Sequence, residues 1–309
     1  VTRGPGLEPA LWTGINFAKA LSAVWDIPLI PINHMEGHIF ASLLRKDAQI
    51  SNLPNYLISK ENPTNIQYQI SNIKFPALAL LISGGHTELI EIKDWLNYKI
   101  LGATRDDAVG EAFDKVARIL GFPYPGGPEI SRLAEKARQS MIQDSGFRIQ
   151  EIKFPRPMIN SGDFDFSFSG IKTSVLYLVK RLESEAQKNN PRASASFISD
   201  NPRLREEIAR EFEDAVIEVL VTKTRRAISE TGAKTLIVGG GVAANKLLRG
   251  ELTEMAKSEQ AEIFISEISH STDNALMIAV AASARLSILG PNIAENKFKA
   301  SGNWHIDMI

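Results

Sequence analysis

The chain has 309 residues, 44% of them hydrophobic, a formal net charge of −1 and no cysteine. That length suits two domains or one large one with a substantial core, and the lack of cysteine excludes disulfides and thiolate metal sites, leaving His, Asp, Glu and Tyr as ligands. The balanced charge gives no global field for nucleic acid, and no apolar run reaches the length of a membrane span.

The opening VTRGPGLEP has neither an initiator Met nor a signal-peptide pattern, and it reads as the interior of a longer protein. Leu11, Ile15, Ala18, Leu21 and Val24 recur at helical spacing, which predicts a helix over 8–25. PLIPIN (28–33) follows as a short strand, and Asn33 is placed to cap a helix over HMEGHIFASLLRK. Residues 47–75 are polar and lack a period; they are expected to be an insertion or long linker and to mark a domain boundary. ALALLISGGHTELIEI (77–92) predicts two strands joined by a tight turn at Ser83–His86. Thr104-Arg105-Asp106-Asp107 then opens a helix with Val109, Ala112, Phe113, Val116, Ile119 and Leu120 on its apolar face, closed by Gly121. Pro125-Gly126-Gly127-Pro128 leads into another helix, with Pro128 in its first turn. Residues 154–171 read as irregular or hairpin-like, and a long helix covers about 204–231. The strand TLIVGGG (235–241) runs into a helix starting near Ala243; the strand EIFIS and a last helix over about 273–289 follow. Strands alternating with helices predict an α/β fold.

His34 and His38 are four apart in a predicted helix, so they share one face and can hold one divalent ion. The plain alternative is a pair of surface or capping histidines. In the zinc-protease HExxH pattern a Glu beside the first His is the general base. Here that place is Met35, and Glu36 is turned about 200° from His34, which disfavours peptidase chemistry. Asp273 in Ser271-Thr272-Asp273-Asn274 is a candidate third ligand, with a simple helix N-cap as its alternative. Two His and a carboxylate would leave coordination positions open to substrate.

Three glycine clusters, Ser83-Gly84-Gly85, Gly126-Gly127 and Gly239-Gly240-Gly241, follow strands or turns. Such turns let backbone N–H groups approach phosphate. The first, strand–turn–strand, resembles the phosphate hairpin of actin-like ATPases, and no GxxxxGK[ST] loop is present. Asp114 reads, by itself, as a solvated charge paired with Lys115 or Arg118. Asn245 is either a base- or ribose-binding amide or a local helix cap.

Seven motifs then fall in one family's order: His34-Met35-Glu36-Gly37-His38, Ser83-Gly84-Gly85-His86-Thr87, Asp107 to Lys115, Tyr124-Pro125-Gly126-Gly127-Pro128, Asp165-Phe166-Ser167-Phe168-Ser169-Gly170, Gly239 to Asn245, and Thr272-Asp273-Asn274. Over about residues 1–290 the chain resembles the bacterial and mitochondrial tRNA N6-adenosine threonylcarbamoyltransferases (TsaD), a family once described as O-sialoglycoprotein endopeptidases. The resemblance implies an actin-like (ASKHA) fold of two ribonuclease-H-like domains with a nucleotide between them. On it, residues 1–75 would be the remnant of an incomplete first domain, 76–271 the second domain, and 272–309 a helix returning to the first, with a tail.

The resemblance also implies the activity: transfer of threonylcarbamoyl from threonylcarbamoyl-AMP to N6 of the adenosine 3′ of the anticodon, in tRNAs reading ANN codons. It places the metal, iron ahead of zinc, on His34, His38 and Asp273. It places the donor, or ATP, on Leu81, Ile82, Ser83, Gly84, Gly85, Asp114, Gly127 and Asn245, which reverses the plain reading of Asp114. No general base is assigned. Expected partners are tRNA and smaller proteins including an actin-like paralogue, or a second copy of the chain, in the cytoplasm or a mitochondrial matrix, with no membrane.

Two departures from the family pattern bear on this. Archaeal-type relatives carry a metal-reaching Tyr where this chain has Leu81, so water or substrate would complete the coordination. The family's opening strand-turn with an acidic Glu-Thr-Ser-Cys-Asp-type motif has no counterpart here, and the first domain is expected to be truncated, with α-helical residues Leu11, Ile15, Leu21 and Val24 exposed. The rival expectations are a metalloendopeptidase and a non-catalytic scaffold.

Overall fold

The computed structural model describes residues 1–46, 68–70, 73–143, 152–189, 197–290, 293 and 297–309. In chain order the elements are β1 (Thr2–Gly4), α1 (Glu8–Trp25), β2 (Ile32–Asn33), α2 (His34–Ser42), β3 (Leu44–Lys46), β4 (Tyr68–Ile70), β5 (Ala77–Ile82), β6 (Thr87–Asp94) and β7 (Asn97–Ala103). Then come α3 (Val109–Ile119), α4 (Gly127–Gln143), α5 (Ser169–Asn189), α6 (Phe197–Asp200), α7 (Pro202–Thr231), β8 (Thr235–Gly239), α8 (Lys246–Ser258), β9 (Glu262–Ile265) and α9 (Ala275–Leu289). The chain is a mixed α/β protein. Among the described residues no helix is long and apolar enough to cross a membrane.

The main sheet runs β7-β6-β5-β8-β9. β5 pairs antiparallel with β6 and parallel with β8, and β8 pairs parallel with β9. All six residues of β5 are buried, and its two faces serve two cores. Leu78, Leu80 and Ile82 join the larger one, formed with α3, α4, α5, α7 and α8. Ala77, Ala79 and Leu81 join the smaller one, with Ile32, Met35, Ile39 and Phe40 near α2 and Ala281 and Ala284 of α9. This two-sided cover explains why β5 reads as a continuous apolar run rather than an alternating one.

The strand expected over 28–33 shortens to Ile32–Asn33, since two prolines interrupt the run; it pairs in parallel with β1. The edge strand β7 and the helix α5 carry no strong pattern in the sequence. The helix after Thr104–Asp107 starts later, at Val109, and its cap comes from another strand: Thr87 Oγ1 accepts the Val109 N–H at 2.9 Å. α1 matches its predicted span. Ile15, expected to be exposed, is fully buried, whereas Val24 remains exposed. Of the segment 47–75, residues 47–67, 71 and 72 lie outside the described residues; Tyr68–Ile70 pair antiparallel with β3.

Candidate metal centre and nucleotide cleft

Asn33 caps α2, its Oδ1 accepting the Met35 N–H at 2.9 Å. His34 is therefore the first helical residue and His38 lies one turn further on, with their rings edge-to-face at 4.9 Å. Asp273 arrives just ahead of α9. The cap of α9 is Asn274, which accepts the Met277 N–H at 3.0 Å, so Asp273 is not needed for capping and its side chain faces the two imidazoles.

Asp273 Oδ1 lies 3.3 Å from His34 Nε2 and 3.2 Å from His38 Nε2, and one ligand atom from each residue fits within 4.8 Å of the others. Ligands about 2.1 Å from a tetrahedral zinc stand roughly 3.4 Å apart, so these spacings suit a divalent ion. His38 Nε2 is buried and, among the described residues, has no partner in hydrogen-bonding alignment, as fits a nitrogen whose lone pair is meant for a metal. His34 and then His38 hold the Asp273 carboxyl far below the usual carboxylate range, against a smaller opposing effect of burial.

His34 and Asp273 open onto a cleft of about 1700 Å³, lined also by Ser83, Gly84, Gly85, Asp114, Gly127 and Asn245, while His38 is buried. A Cβ built on Gly84, Gly85, Gly127 or Gly241 would meet no atom within 4 Å. Their backbone faces open space where a phosphate could approach. Gly110 and Gly240 do different work. A Cβ on Gly110 would sit 2.7 Å from Ser83 O, and Gly240 has φ +94 and packs against Ile82 O. Gly110 packs against the Ser83–His86 turn itself, and Gly240 against the end of β5 just before it.

Asp114 Oδ1 accepts the Gly126 N–H at 2.7 Å. Lys115 instead pairs with Asp107 and Glu111, so the plain sequence pairing of Asp114 with Lys115 does not occur. Asn245 is the helix cap the sequence allowed: its Oδ1 accepts the Leu248 N–H at 2.9 Å, its Nδ2 donates to Ser131 Oγ and Glu213 Oε1, and the residue lines the cleft. Leu81 and Ile82 do not line the cleft; their side chains are fully buried on opposite faces of β5, so any contribution to ligand binding would pass through the backbone.

Sequence reasoning passed over His86, treated only as part of a turn. It lines the cleft, and burial first, then the neighbouring His34 and His38, push its pKa down, so the neutral ring is favoured there. Its place directly after the glycine turn was the available signal. Glu36 lies on the far side of α2, bonded to Arg285 and Tyr98. It cannot serve as general base at a metal held by His34 and His38, which removes the peptidase geometry.

The family profile described as tRNA N6-adenosine threonylcarbamoyltransferase matches residues 1–59 and 63–280. A protein of that description from Chromobacterium violaceum is 40% identical over 290 residues, covering 94% of this chain and 72% of the relative. One from Burkholderia mallei is 41% identical over 286 residues, covering 93% of this chain and 70% of the relative. Among solved structures, T. kodakarensis HypF is similar with a TM-score of 0.49 and 13% identity, over 89% of this chain and 39% of that one. That likeness is too remote to inform the site.

Proposed function

The chain belongs to the tRNA N6-adenosine threonylcarbamoyltransferase family, and we propose that the cleft described above carries out the family's acyl transfer. The activity is tRNA modification, with a threonylcarbamoyl group placed on N6 of an adenosine. The donor is read as threonylcarbamoyl-AMP and the acceptor as the adenosine 3′ of the anticodon in tRNAs for ANN codons. In this step the N6 nitrogen attacks the carbamoyl carbonyl, the new C–N bond forms, the bond from that carbon to the phosphate oxygen breaks to release AMP, and one N6 proton passes to water.

The single observation that carries this reading is that His34, His38 and Asp273 converge, with His34 and Asp273 on the wall of the cleft that the glycine turns line and His38 buried beside them. A divalent ion there, iron or zinc, would hold and polarise the threonylcarbamoyl end. The Ser83–Gly85 turn and Gly127 would cradle the phosphate of the leaving group, with Asp114 holding the second loop in register and Asn245 beside the nucleoside. Much of the rate would then come from orientation and electrostatics. No residue is assigned as general base.

The finer architecture is read as actin-like, with 76–271 as a ribonuclease-H-like unit and 1–75 with 272–309 belonging to its partner unit. The mixed sheet covered on both faces supports this. The partners are read as tRNA and the smaller proteins of a threonylcarbamoylation complex, including an actin-like paralogue, or a second copy of this chain. The setting is read as cytoplasm, or matrix in a mitochondrion.

The test supplies the chain with tRNA, threonylcarbamoyl-AMP and such partner proteins and measures the modified nucleoside by mass spectrometry. Product with the wild type and its loss in the His34→Ala, His38→Ala double variant is the expected outcome. Product formation that persists in the double variant would remove the metal centre from the reaction. No product from the wild type would overturn the proposed activity of this chain.

A further inference from the structure

α2 carries the two histidines on one face and Glu36 on the other. Glu36 is fully buried. Its carboxylate accepts from Arg285 Nη1 at 3.1 Å (Oε2) and 3.4 Å (Oε1), and from the Tyr98 hydroxyl at 3.1 Å. Arg285 lies on α9, the helix that Asp273 introduces. The two helices are thus joined twice: by the ligand cluster at one end and by the Glu36–Arg285 pair some three turns along α9. Between these points Gly37 lets the backbones close up, since a Cβ there would sit 3.0 Å from Ile278 Cδ1. Tyr98, on β7, ties the same carboxylate to the sheet.

Stability alone does not account for this pair. A buried ion pair returns about as much in attraction as it costs in desolvation, and apolar residues of similar volume often do as well. What the pair supplies is direction. Rotating α2 by about 10° would move an atom some 6 Å from its axis by roughly 1 Å. Metal sites hold their distances to within about 0.2 Å. The same rotation would pull Glu36 off Arg285 and Tyr98, so the pair opposes the motion that would spoil the ligand geometry.

We propose that Glu36 and Arg285, steadied by Tyr98, are positioning residues that lock α2 against α9 and so set the geometry of His34, His38 and Asp273. This rests on the metal-centre reading, and it adds outer partners that approach the metal through the helix rather than through the imidazole rings.

The test is a cobalt(II) titration of the full chain after chelator treatment, following the visible absorption bands, with zinc competition for affinity. His34→Ala is the control. Glu36→Gln and Arg285→Met should each weaken affinity by about 10- to 100-fold, the range for outer-sphere changes, and should alter the cobalt bands. The double variant Glu36→Gln, Arg285→Met removes the unpaired buried charge. It should recover thermal stability measured in chelator while keeping the weak affinity and altered bands. Recovery of affinity together with stability would show that the pair acts only through folding, and would overturn the proposal. So would wild-type bands and affinity in Glu36→Gln. Should that variant fail to fold, Tyr98→Phe decides: a several-fold loss with shifted bands supports the lock, and an unchanged titration overturns it. A wild type that binds no cobalt overturns the metal centre itself, and the lock with it. Binding lost in His34→Ala but intact in Glu36→Gln overturns the lock alone.

Discussion

Asp114 Oδ1 accepts the backbone N–H of Gly126 at 2.7 Å, fastening the Pro125–Pro128 loop to the helix that precedes it. The loop then presents Gly127, the first residue of α4, to the cleft. Asp114→Ala should free that amide, cost about 1 kcal/mol of stability and weaken adenine-nucleotide binding about tenfold or more by calorimetry. Asp114→Asn keeps an acceptor oxygen and should retain most of the stability. Wild-type affinity in the Ala variant would show that the loop is held by other means.

Gly84 and Gly110 separate ligand approach from packing. A Cβ on Gly84 meets nothing within 4 Å, whereas one on Gly110 meets Ser83 O at 2.7 Å. Gly84→Val should therefore leave the melting temperature nearly unchanged and abolish measurable ATP binding, because its side chain fills the space a phosphate needs. Gly110→Ala should lose both stability and binding. ATP affinity at the wild-type level in Gly84→Val would rule out the turn as a phosphate cradle.

Metal removal should destabilise the wild type by linkage, since an ion that binds only the folded state adds about 2.7 kcal/mol at a hundredfold excess over its dissociation constant. Chelator should lower the wild-type melting temperature and leave His38→Ala unaffected. Elemental analysis should find iron or zinc near one per chain in the wild type and little in the variant. A full complement of metal in His38→Ala would dismiss the assigned ligands.

Asp106 ties the Thr104–Asp107 segment to the start of α5, accepting from the N–H groups of Phe168 and Ser169 and from the hydroxyls of Ser167 and Ser169. Burial raises its pKa, but the hydroxyls of Ser167 and Ser169 and the two amides outweigh it, and the folded value lies below the ordinary one. A depressed carboxyl pKa adds stability that is fully present above the unfolded pKa and is lost as pH falls through the folded value. The group is exposed, so solvent screening keeps the effect small. Asp106→Asn should be less stable than wild type at pH 7, and the difference should shrink below about pH 4. A gap that stays constant down to pH 2 would argue against an ionised cap.

Hydrogen exchange should follow burial along the chain. β5 is buried along its whole length and bonded on both sides, so 77–82 and 235–239 should exchange slowest. α1 buries only Ile15, and its amides should exchange faster by orders of magnitude. Equal protection in the two regions would show that α1 is held by contacts beyond those described.

Local patterns were legible in the sequence because they depend on near neighbours. The apolar period of 8–25 gave α1 its ends, the run ALALLI marked the buried central strand, and Asn33 marked the cap of α2. The spacing of His34 and His38 placed both on one face, and it turned Glu36 away from them. The ordered motifs identified the family. Legibility failed where the cause was distant. β7, at the sheet edge with Asn97 and Lys99 in it, has little apolar signal. Asp273 could have been a cap, and that reading fell only when Asn274 took the capping bond. Glu36 found its counter-charge 249 residues away on α9, a pairing that no local period records. Sequence fixes which chemical groups are present and how each element turns them. Tertiary packing decides which groups meet, because a charge taken out of water must find its partner across the fold rather than along the chain.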